Sequence, residues 1–263
     1  MRYALANEQR QEARRGLSGK CQFCGGRMVA KCGDIKIWHW AHFRRRTCDH
    51  WWENETEWHR AWKGQFPDDW QEVIHFDDSG EKHIADVKTQ PGWVLEFQHS
   101  YLNPEERRSR NAFYPKLVWV VDGTRRKTDK PQFQRILEES TTVSTEPPII
   151  RVHFPDECRL LKEWHDSNAL VFFDFQEAQD TKQSMLWFLF PKTSSGEAYL
   201  SLISRVNFIE LHNDNKFDEL VMNKILPIRE ILASNKQNVS NHPQRLPGFE
   251  RHMANMRRRR RRF

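Results

Sequence analysis

Three short segments between residues 70 and 123 have the composition of β-strands. They are 72–76 (EVIHF), 83–89 (HIADVKT) and 93–99 (WVLEFQH). Residues 77–80 (DDSG) and 90–92 (QPG) separate them. Alternating or β-branched runs bounded by Gly, Pro, Asp and Ser favour strands joined by turns. The stretch therefore predicts a three-stranded meander, and this arrangement constrains the chain more than any other feature.

A helix and a further strand are predicted directly after the meander. Asn103 is a favoured N-cap residue, and Pro104 suits the first helical position. Two glutamates follow in the first turn, and the helix is expected to continue to about Tyr114. Residues 117–121 (LVWVV) are continuously apolar and end at Asp-Gly, which favours a strand buried on both faces.

Acidic and amide side chains fall on the second and third predicted strands. Asp86 lies on the second strand, and Glu96 and Gln98 lie two residues apart on the third, so these two share a face. Carboxylates gathered in this way can hold Mg²⁺, which lowers the pKa of a bound water and offsets charge on a phosphate. A solvated sheet face would use the same residue types, so the spacing leaves both interpretations open.

A CxxC motif near the N-terminus predicts a zinc site. Two glycines follow Cys21 and Cys24, and they allow backbone amides to turn toward the sulfurs. Strands at 27–31 and 35–42 would form a hairpin that brings the end of the second strand back to the knuckle. The preferred ligands of this closed, structural site are Cys21, Cys24, His42 and Cys48.

Other cysteines and histidines are less suited to this site. His39 is the reserve ligand, because a strand places it on the opposite face from His42 and about 10 Å away. Cys32 lies at the far turn and is the least expected ligand. A redox pair is the alternative interpretation of the CxxC motif, and a disulfide scaffold is disfavoured in a reducing compartment. Cys158 is expected to be a buried apolar residue.

Six motifs between residues 21 and 123 occur in a characteristic order. They are CQFCGG at 21–26, HWAH at 39–42, ETEWHRAWK at 55–63, IADV at 84–87, LEFQHS at 95–100 and RNAFY at 110–114. Together they resemble the competence protein CoiA family, whose nuclease domain is similar to the PD-(D/E)xK superfamily. The resemblance implies that Asp86 and Glu96 hold the catalytic metal, Mg²⁺ or Mn²⁺. It also places Gln98 where the superfamily usually has lysine and suggests Glu57 as a third carboxylate.

The resemblance also implies groups that contact the substrate phosphate. Arg110 and Tyr114 are four residues apart on one helix face, where Arg110 could clamp the phosphate and Tyr114 could hydrogen-bond to it. Lys88 shares a strand face with Asp86 and could replace the missing lysine. His59 is a further phosphate contact to consider. The structural alternatives are an arginine paired with a neighbouring glutamate and an exposed helix histidine.

The remaining segments carry weaker signals. Residues 1–20 have helical character, and residues 48–66 favour an amphipathic helix with a tryptophan stripe. Residues 141–148 (TTVSTEPP) favour a linker. Strand and helix patterns then alternate without a catalytic motif, and residues 236–263 have the composition of a basic, disordered tail.

The net charge of +6 comes from one segment. Residues 257–262 are six consecutive arginines, and without them the 42 basic residues become 36, equal to the 36 acidic residues. Such a run binds phosphate backbones in a salt-dependent manner, or it is a solvated tail. No apolar run approaches the roughly 20 residues of a membrane span, and the N-terminal segment lacks a secretory signal. A cytoplasmic protein without membrane partners is therefore expected.

These observations combine into one prediction for the α/β fold class. A zinc-ribbon-like region (1–50) precedes a PD-(D/E)xK restriction-endonuclease-like core (51–130), a C-terminal α+β region (149–235) and the tail (236–263). The predicted activity is metal-dependent hydrolysis of nucleic acid, with DNA preferred, in competence, recombination or defence. The zinc would be structural. The alternative is a zinc-containing nucleic-acid-binding module without catalysis.

Overall fold

The computed structural model describes residues 1–44, 48–51, 55–176, 184–192, 196–234 and 248–260. The chain divides into two units, Met1–Lys116 (unit 1) and Leu117–Phe263 (unit 2). Each unit contains both strands and helices. The mixed α/β class predicted from the sequence is therefore confirmed.

Unit 1 begins with a five-stranded antiparallel sheet. Its strands are β1 (Tyr3–Ala6), β2 (Gln9–Glu12), β3 (Ser18–Lys20), β4 (Arg27–Lys31) and β5 (His39–His42). They lie in the order β2-β1-β3-β4-β5. The predicted strand at 27–31 is confirmed, whereas the return strand is shorter than the predicted 35–42.

The helical character expected for residues 1–20 is wrong. Ala6 pairs with Gln9 across a two-residue turn. Asn7 and Glu8 in this turn both have positive φ, 51° and 63°. Positive φ at both central residues matches the twist of a β-hairpin, and asparagine is favoured there. The turn and the sheet that it closes therefore override the local helical preference.

The interior of this first sheet is small. Its buried residues include Ala4, Cys21, Met28 and Trp40, and three of these side chains are short or medium in length. The Trp40 indole N–H donates a hydrogen bond to the carbonyl of Gln11 at 2.9 Å. A core of this size is typical of modules that need a metal or another covalent or ionic link for stability.

The predicted meander is confirmed in three further strands of unit 1. Its strands are β6 (Gln71–Phe76), β7 (Lys82–Lys88) and β8 (Val94–Gln98). They are antiparallel, with Val73 opposite Ala85 and Val87 opposite Leu95. Burial alternates along β7, so Asp86 lies on its more exposed face.

Two helices of unit 1 begin at well-formed caps. Helix α2 (Pro104–Phe113) starts at the predicted N-cap, where the Asn103 side chain accepts from the amide of Glu105 at 2.8 Å. Helix α1 (Glu57–Lys63) is capped by Thr56 and is shorter than the predicted 48–66. Residues 52–54 of that prediction lie outside the described residues.

Unit 2 is also built from strands and helices. Its strands are β9 (Leu117–Asp122), β10 (Thr141–Thr145), β11 (Pro148–Val152), β12 (Leu170–Asp174), β13 (Met185–Leu189) and β14 (Ala198–Ser204). Its helices are α3 (Asp129–Glu138), α4 (Arg159–Trp164), α5 (Arg205–Asn213), α6 (Phe217–Leu220), α7 (Leu226–Ser234) and α8 (Phe249–Arg260). The strand order is β10-β11-β14-β13-β12-β9. Strands β9 and β12 are parallel, and the other pairs are antiparallel.

Two expectations for unit 2 differ from the structure. The linker predicted at 141–148 is wrong, because β10 and β11 form a hairpin there. Its threonines and Val143 are β-branched residues, which favour a strand when a partner is present. Helix α8 occupies most of the described part of the tail that was expected to be disordered, and residues 235–247 and 261–263 lie outside the described residues.

None of the helices that the structure describes combines the length and the apolar character that crossing a membrane would require.

A buried histidine should make unit 2 sensitive to acid. The ring of His212 is 1% exposed, stacks on Phe217 at 3.9 Å between centroids, and hydrogen-bonds to the carbonyl of Phe208 at 2.8 Å. Burial lowers the pKa of His212 to about 4 from 6.5, against the opposing effect of the Phe208 carbonyl. In the unfolded chain the same histidine binds its proton near pH 6.5.

We expect the free energy of unfolding to fall by about 3 kcal/mol as the pH drops from 6.5 to 4, because the unfolded state binds this proton first. Stability from this group is complete above pH 6.5 and is lost as the pH falls through 4. Urea unfolding at several pH values should show a smaller acid-dependent loss in His212→Phe than in the wild type. His165→Phe, at a partly exposed histidine, is the control. An identical pH dependence in His212→Phe and the wild type would contradict this assignment.

Candidate metal centres

Four side chains of the N-terminal sheet converge on one point. Cys21 and Cys24 precede β4, His42 ends β5, and Cys48 follows it. The ligand atoms of these four residues all lie within 4.8 Å of one another. They are the four ligands preferred from the sequence.

The distances within this Cys₃His cluster fit zinc. The sulfurs of Cys21 and Cys48 are 3.7 Å apart, and Cys24 Sγ lies 3.3 Å from His42 Nε2. Tetrahedral zinc, with Zn–S near 2.3 Å and Zn–N near 2.0–2.1 Å, gives ligand separations of about 3.8 Å and about 3.6 Å. A disulfide would need about 2.05 Å between the sulfurs, so this geometry indicates separate thiols.

The two glycines after Cys24 shape the knuckle. Gly25 has a φ of 71°, and its amide donates to the carbonyl of Cys21 at 2.9 Å. The amide of Gly26 donates to Cys24 Sγ at 3.4 Å. A Cβ atom added at Gly26 would lie 3.2 Å from that sulfur. The backbone thus turns its amides toward the sulfurs, as the motif predicts.

The thiols of this cluster depend on a cation for ionisation. Burial raises the pKa of both Cys21 and Cys48, and the neighbouring Cys21 thiol raises the pKa of Cys48 further. Zinc binds thiolates, so loading the cluster must release protons. The donor set and the spacing therefore fit a structural zinc ion held by these four residues.

The reserve ligand is not part of the cluster. His39 lies opposite Lys31, whereas His42 lies opposite Met28, near the knuckle. The Nδ1 atom of His39 is 2.8 Å from the carbonyl of Ile37. Cys32 is also outside the cluster, and Cys158 is buried as expected.

A second candidate centre is an acidic cavity of about 50 Å³ in unit 1. Its ionisable and polar lining residues are Met1, which carries the buried N-terminal amine, and Asp49, Glu55, His59, Lys63, Glu72, Asp86, Glu96, Gln98 and Arg110. Five carboxylates thus face two permanent cations. The cavity can hold about three to five waters, or a cation with part of its hydration shell, at 10–15 Å³ per water.

Asp86 and Glu96 are brought to this cavity from neighbouring strands. The amide of Phe97 donates to Asp86 Oδ2 at 3.0 Å, and the amide of Asp86 lies 3.4 Å from Glu96 Oε1. The Asp86 side chain is 27% exposed, compared with 6% for Glu96. Asp86 is therefore the carboxylate that an entering cation would meet first.

The two carboxylates influence each other electrostatically. Burial and the charge of Asp86 raise the pKa of Glu96 to about 8, although Arg110 opposes this shift. Two carboxylates in a low-dielectric cavity cannot both ionise easily. A divalent cation between them would favour both charged forms.

Lys63 is the central cation of the cavity. Its Nζ lies 2.7 Å from Glu55 Oε1, 3.1 Å from Glu72 Oε1 and 3.8 Å from Asp86 Oδ1. Burial by itself would lower the pKa of this amine, but the charges of Glu72 and Glu55 outweigh burial and raise it. Lys63 is therefore a fixed positive charge and not a base.

Glu72 is held in an unusual backbone conformation. Its φ is 46°, although it lies within β6. Its carboxylate accepts from the amides of Arg2 and Tyr3 at 2.7 and 3.0 Å and also contacts Lys63. A non-glycine residue at positive φ costs of the order of 1–3 kcal/mol and is typical of functional sites.

Arg110 is committed to protein contacts. Its guanidinium contacts Glu96 Oε2 at 3.0 Å, the carbonyl of Trp51 at 2.6 Å and Glu106. Tyr114 is 2% exposed and is not among the residues lining the acidic cavity. These contacts suit Arg110 for orienting Glu96.

The other sequence-based candidates lie in different surroundings. His59 lines the cavity, is buried, and accepts from the Thr56 amide at 3.4 Å through Nδ1. Gln98 also lines the cavity, and its amide donates to the carbonyl of Ser100 at 3.2 Å. Lys88 Nζ lies 2.9 Å from His75 Nδ1 and does not line the cavity. Glu57 is exposed and does not line it either.

Glu55 therefore stands in the cavity where the family resemblance suggested Glu57. The Lys63–Glu72 contact is a second feature that the sequence did not predict. Lys63 and Glu55 both fall in the ETEWHRAWK motif, so the motif itself was the available signal. Local spacing did not show which of its polar residues would turn inward.

Asp49 links the Cys₃His cluster to the acidic cavity. It follows Cys48 directly, and its carboxylate accepts from the amides of Trp51 and Ile84 at 3.0 and 2.8 Å. It also lies 2.9 Å from His83 Nδ1, and the Trp51 ring stacks on His83 at 3.3 Å. Through these contacts the residues directly after Cys48 brace β7 at Ile84, two residues before Asp86.

Two further groups of potential metal ligands occur among the described residues. They are Asp49, His50 and His83 in unit 1 and Asp156, Glu157 and His252 in unit 2. Asp86 and Glu96 do not belong to such a group of three or more ligands among the described residues. They offer two carboxylates. Mg²⁺ commonly takes one or two carboxylates and completes its shell with water and substrate.

Replacing Lys63 with methionine should strongly destabilise the protein. The change would leave the buried carboxylates of Glu55 and Glu72 without their shared cation, and breaking a buried pair typically costs about 3–5 kcal/mol. Urea unfolding would measure this loss. The exposed Lys20→Met variant is the matched control, and equal stability of the two variants would contradict a central role for Lys63.

The Cys₃His cluster on an N-terminal antiparallel sheet has the arrangement of a zinc-ribbon-type module. Residues 5–50 match the family model of the competence protein CoiA, N-terminal domain. This match supports the resemblance to the CoiA family over the N-terminal residues that it covers. The matched residues contain all four cluster ligands and Asp49, and they end before β7. No curated protein and no solved structure was found to match the chain.

Proposed function

We propose that the protein is a metal-dependent nuclease that hydrolyses phosphodiester bonds, with DNA as the preferred substrate. The observation that carries the proposal is the pairing of Asp86 and Glu96 on adjacent antiparallel strands. Their carboxylates are braced by backbone amides and line one negatively charged cavity. The element order around this pair, three antiparallel strands followed by a helix, supports the proposal.

Asp86 and Glu96 are the residues that would hold Mg²⁺ or Mn²⁺. Such a cation, when bound, lowers the pKa of a coordinated water and offsets charge on the phosphoryl oxygens. Asp86 provides the accessible ligand. Glu96 is the buried ligand, and Arg110 fixes its orientation through the contact at 3.0 Å.

In this proposal Lys63 supplies the positive charge beside Asp86 that the superfamily usually obtains from a strand lysine. It lies 3.8 Å from Asp86 and stays protonated, so it can stabilise negative charge without removing a proton. Gln98 can orient a water through its amide but is a poor base. Glu55 and Glu72 hold the ammonium group in place.

The zinc cluster and the family match support the biological setting. A structural zinc ion would stabilise the small N-terminal core and, through Asp49, the strand that carries Asp86. The CoiA N-terminal domain suggests a competence or recombination context, with a defence role as the related possibility. Nucleic acid is accordingly the partner that we propose.

Cleavage of labelled DNA by the full chain tests the proposal. Single-stranded DNA, double-stranded DNA and RNA of equal length would be incubated with Mg²⁺, Mn²⁺ or EDTA. We expect cleavage of DNA with Mg²⁺ or Mn²⁺ and none with EDTA. Binding without cleavage under every condition would overturn the nuclease assignment and favour a nucleic-acid-binding module.

A further inference from the structure

Among the residues that the structure describes, the C-terminal arginines do not line the acidic cavity. Residues 257–260 of the six-arginine run lie on α8, and this helix borders a concave surface of about 350 Å³ within unit 2. The polar residues that line this surface, here called the α3–α8 groove, are Gln132, Arg135, Glu157, Arg251, Asn255 and Arg258.

Helix α8 is anchored beside the groove by specific contacts. Arg251 pairs with Glu139, and Asn255 donates to Glu157. His252 Nδ1 lies 3.0 Å from Glu157 Oε1, and its ring stacks on Phe154 at 4.3 Å. This part of the basic tail therefore has a defined position within unit 2.

The spacing of the lining residues on α8 follows from helix geometry. Arg251, Asn255 and Arg258 are separated by four and three residues, so they lie on one face of the helix. Arg135 lies on α3 and lines the same groove as these three residues of α8. Guanidinium groups from two helices thus converge on one concavity.

The charge of the groove favours an anion. Three arginines line it against the single carboxylate of Glu157, which already contacts His252 and Asn255. Arg135 and Arg258 are exposed, and neither has an ion-pair partner among the described residues. Exposed guanidinium groups that converge in this way suit phosphate, which they can bind in a bidentate manner.

We propose that the α3–α8 groove binds the phosphate backbone of a nucleic acid. Arg135 and Arg258 supply the charged contacts, and Arg251 is oriented by Glu139. The groove is a second contact region for the substrate of the proposed function, on which this inference rests. Contacts to phosphates alone predict binding that is independent of base sequence and sensitive to salt.

The concave shape and the amide lining favour a nucleic-acid strand over a membrane surface. Gln132 and Asn255 add amide groups suited to phosphate and sugar oxygens. A helix that binds a lipid surface would present a broad apolar face, whereas the groove-facing side of α8 carries Arg251, Asn255 and Arg258.

Fluorescence anisotropy of a labelled duplex, measured in EDTA over a range of salt concentrations, tests the inference. The Arg135→Ala/Arg258→Ala variant should bind about tenfold or more weakly, and its slope of log K against log salt should fall by about 2, since each lost phosphate contact removes about 0.9. The charge-matched control is Lys162→Ala/Lys224→Ala, at exposed residues of unit 2 outside the groove. It should keep the wild-type slope.

The possible outcomes separate this inference from the proposed nuclease function. An unchanged slope in the groove variant, or an equal loss in the control, overturns the groove even if the protein cleaves DNA. A groove variant that loses binding to anionic vesicles but keeps binding to DNA also overturns it. Salt-dependent binding that needs the groove arginines, in a protein that cleaves nothing, supports the groove and overturns the nuclease.

Discussion

Asp86→Asn should reduce DNA cleavage by at least about 100-fold, which corresponds to about 2.7 kcal/mol of transition-state stabilisation. The amide is nearly the same shape as the carboxylate and can still accept from Phe97 N, so the strand pairing should persist. It removes the negative charge at the more accessible of the two proposed ligands. Initial rates with Mg²⁺, together with Mn²⁺ affinity measured by electron paramagnetic resonance, would show both effects.

The matched control for this variant is Asp78→Asn. Asp78 is an exposed aspartate in the turn between β6 and β7, and it lies outside the cavity. The control should retain wild-type rates and Mn²⁺ affinity. DNA binding should survive in Asp86→Asn, because the arginines of the α3–α8 groove are unchanged. Cleavage that persists in Asp86→Asn would show that the metal is held elsewhere or that a contaminating nuclease is present.

Cys24→Ser should abolish zinc binding and destabilise the N-terminal sheet. Structural zinc contributes an apparent binding free energy of about 10–16 kcal/mol in zinc-finger peptides, which is comparable to the whole stability of a domain. The Cys24 side chain is exposed, so serine itself removes little packing. Zinc content should fall from about one ion per chain to near zero, and thermal unfolding should begin at a much lower temperature.

Cys32→Ser is the control, because it makes the same chemical change outside the cluster. It should keep zinc and unfold close to the wild-type temperature. A Cys24→Ser protein that retains zinc and stability would contradict the proposed ligand set, as would zinc loss in Cys32→Ser.

The zinc-free protein should also bind Mn²⁺ more weakly at the acidic cavity. Asp49 follows the ligand Cys48, and its carboxylate holds the amide of Ile84, two residues before Asp86. Trp51, in the same segment, accepts from Arg110, which in turn contacts Glu96. Release of Cys48 should loosen both connections. Unchanged Mn²⁺ affinity in Cys24→Ser would show that the two centres are independent.

Features that depend on local chemistry were predictable from the sequence. The cap at Asn103, the turns between β6, β7 and β8, and the choice of His42 over His39 follow from residues close together in the chain. The helix expected in residues 1–20 is wrong, because the turn at Asn7 and Glu8 and the pairing of β1 with β2 and β3 outweigh local propensity. The strand β10 was missed for the same reason, since β-branched residues form a strand only when a partner is available.

The types of candidate ligand and their order along the chain can be read from local patterns: a CxxC knuckle, a hairpin histidine, and acidic residues on two neighbouring strands. The tertiary structure alone decided that Glu55 and Lys63 enter the acidic cavity while Glu57 faces solvent. It also decided that Asp49 joins the two centres and that α8 meets α3. The physical reason is that strand and helix periods set which residues share a face, whereas the packing of distant elements decides which faces meet.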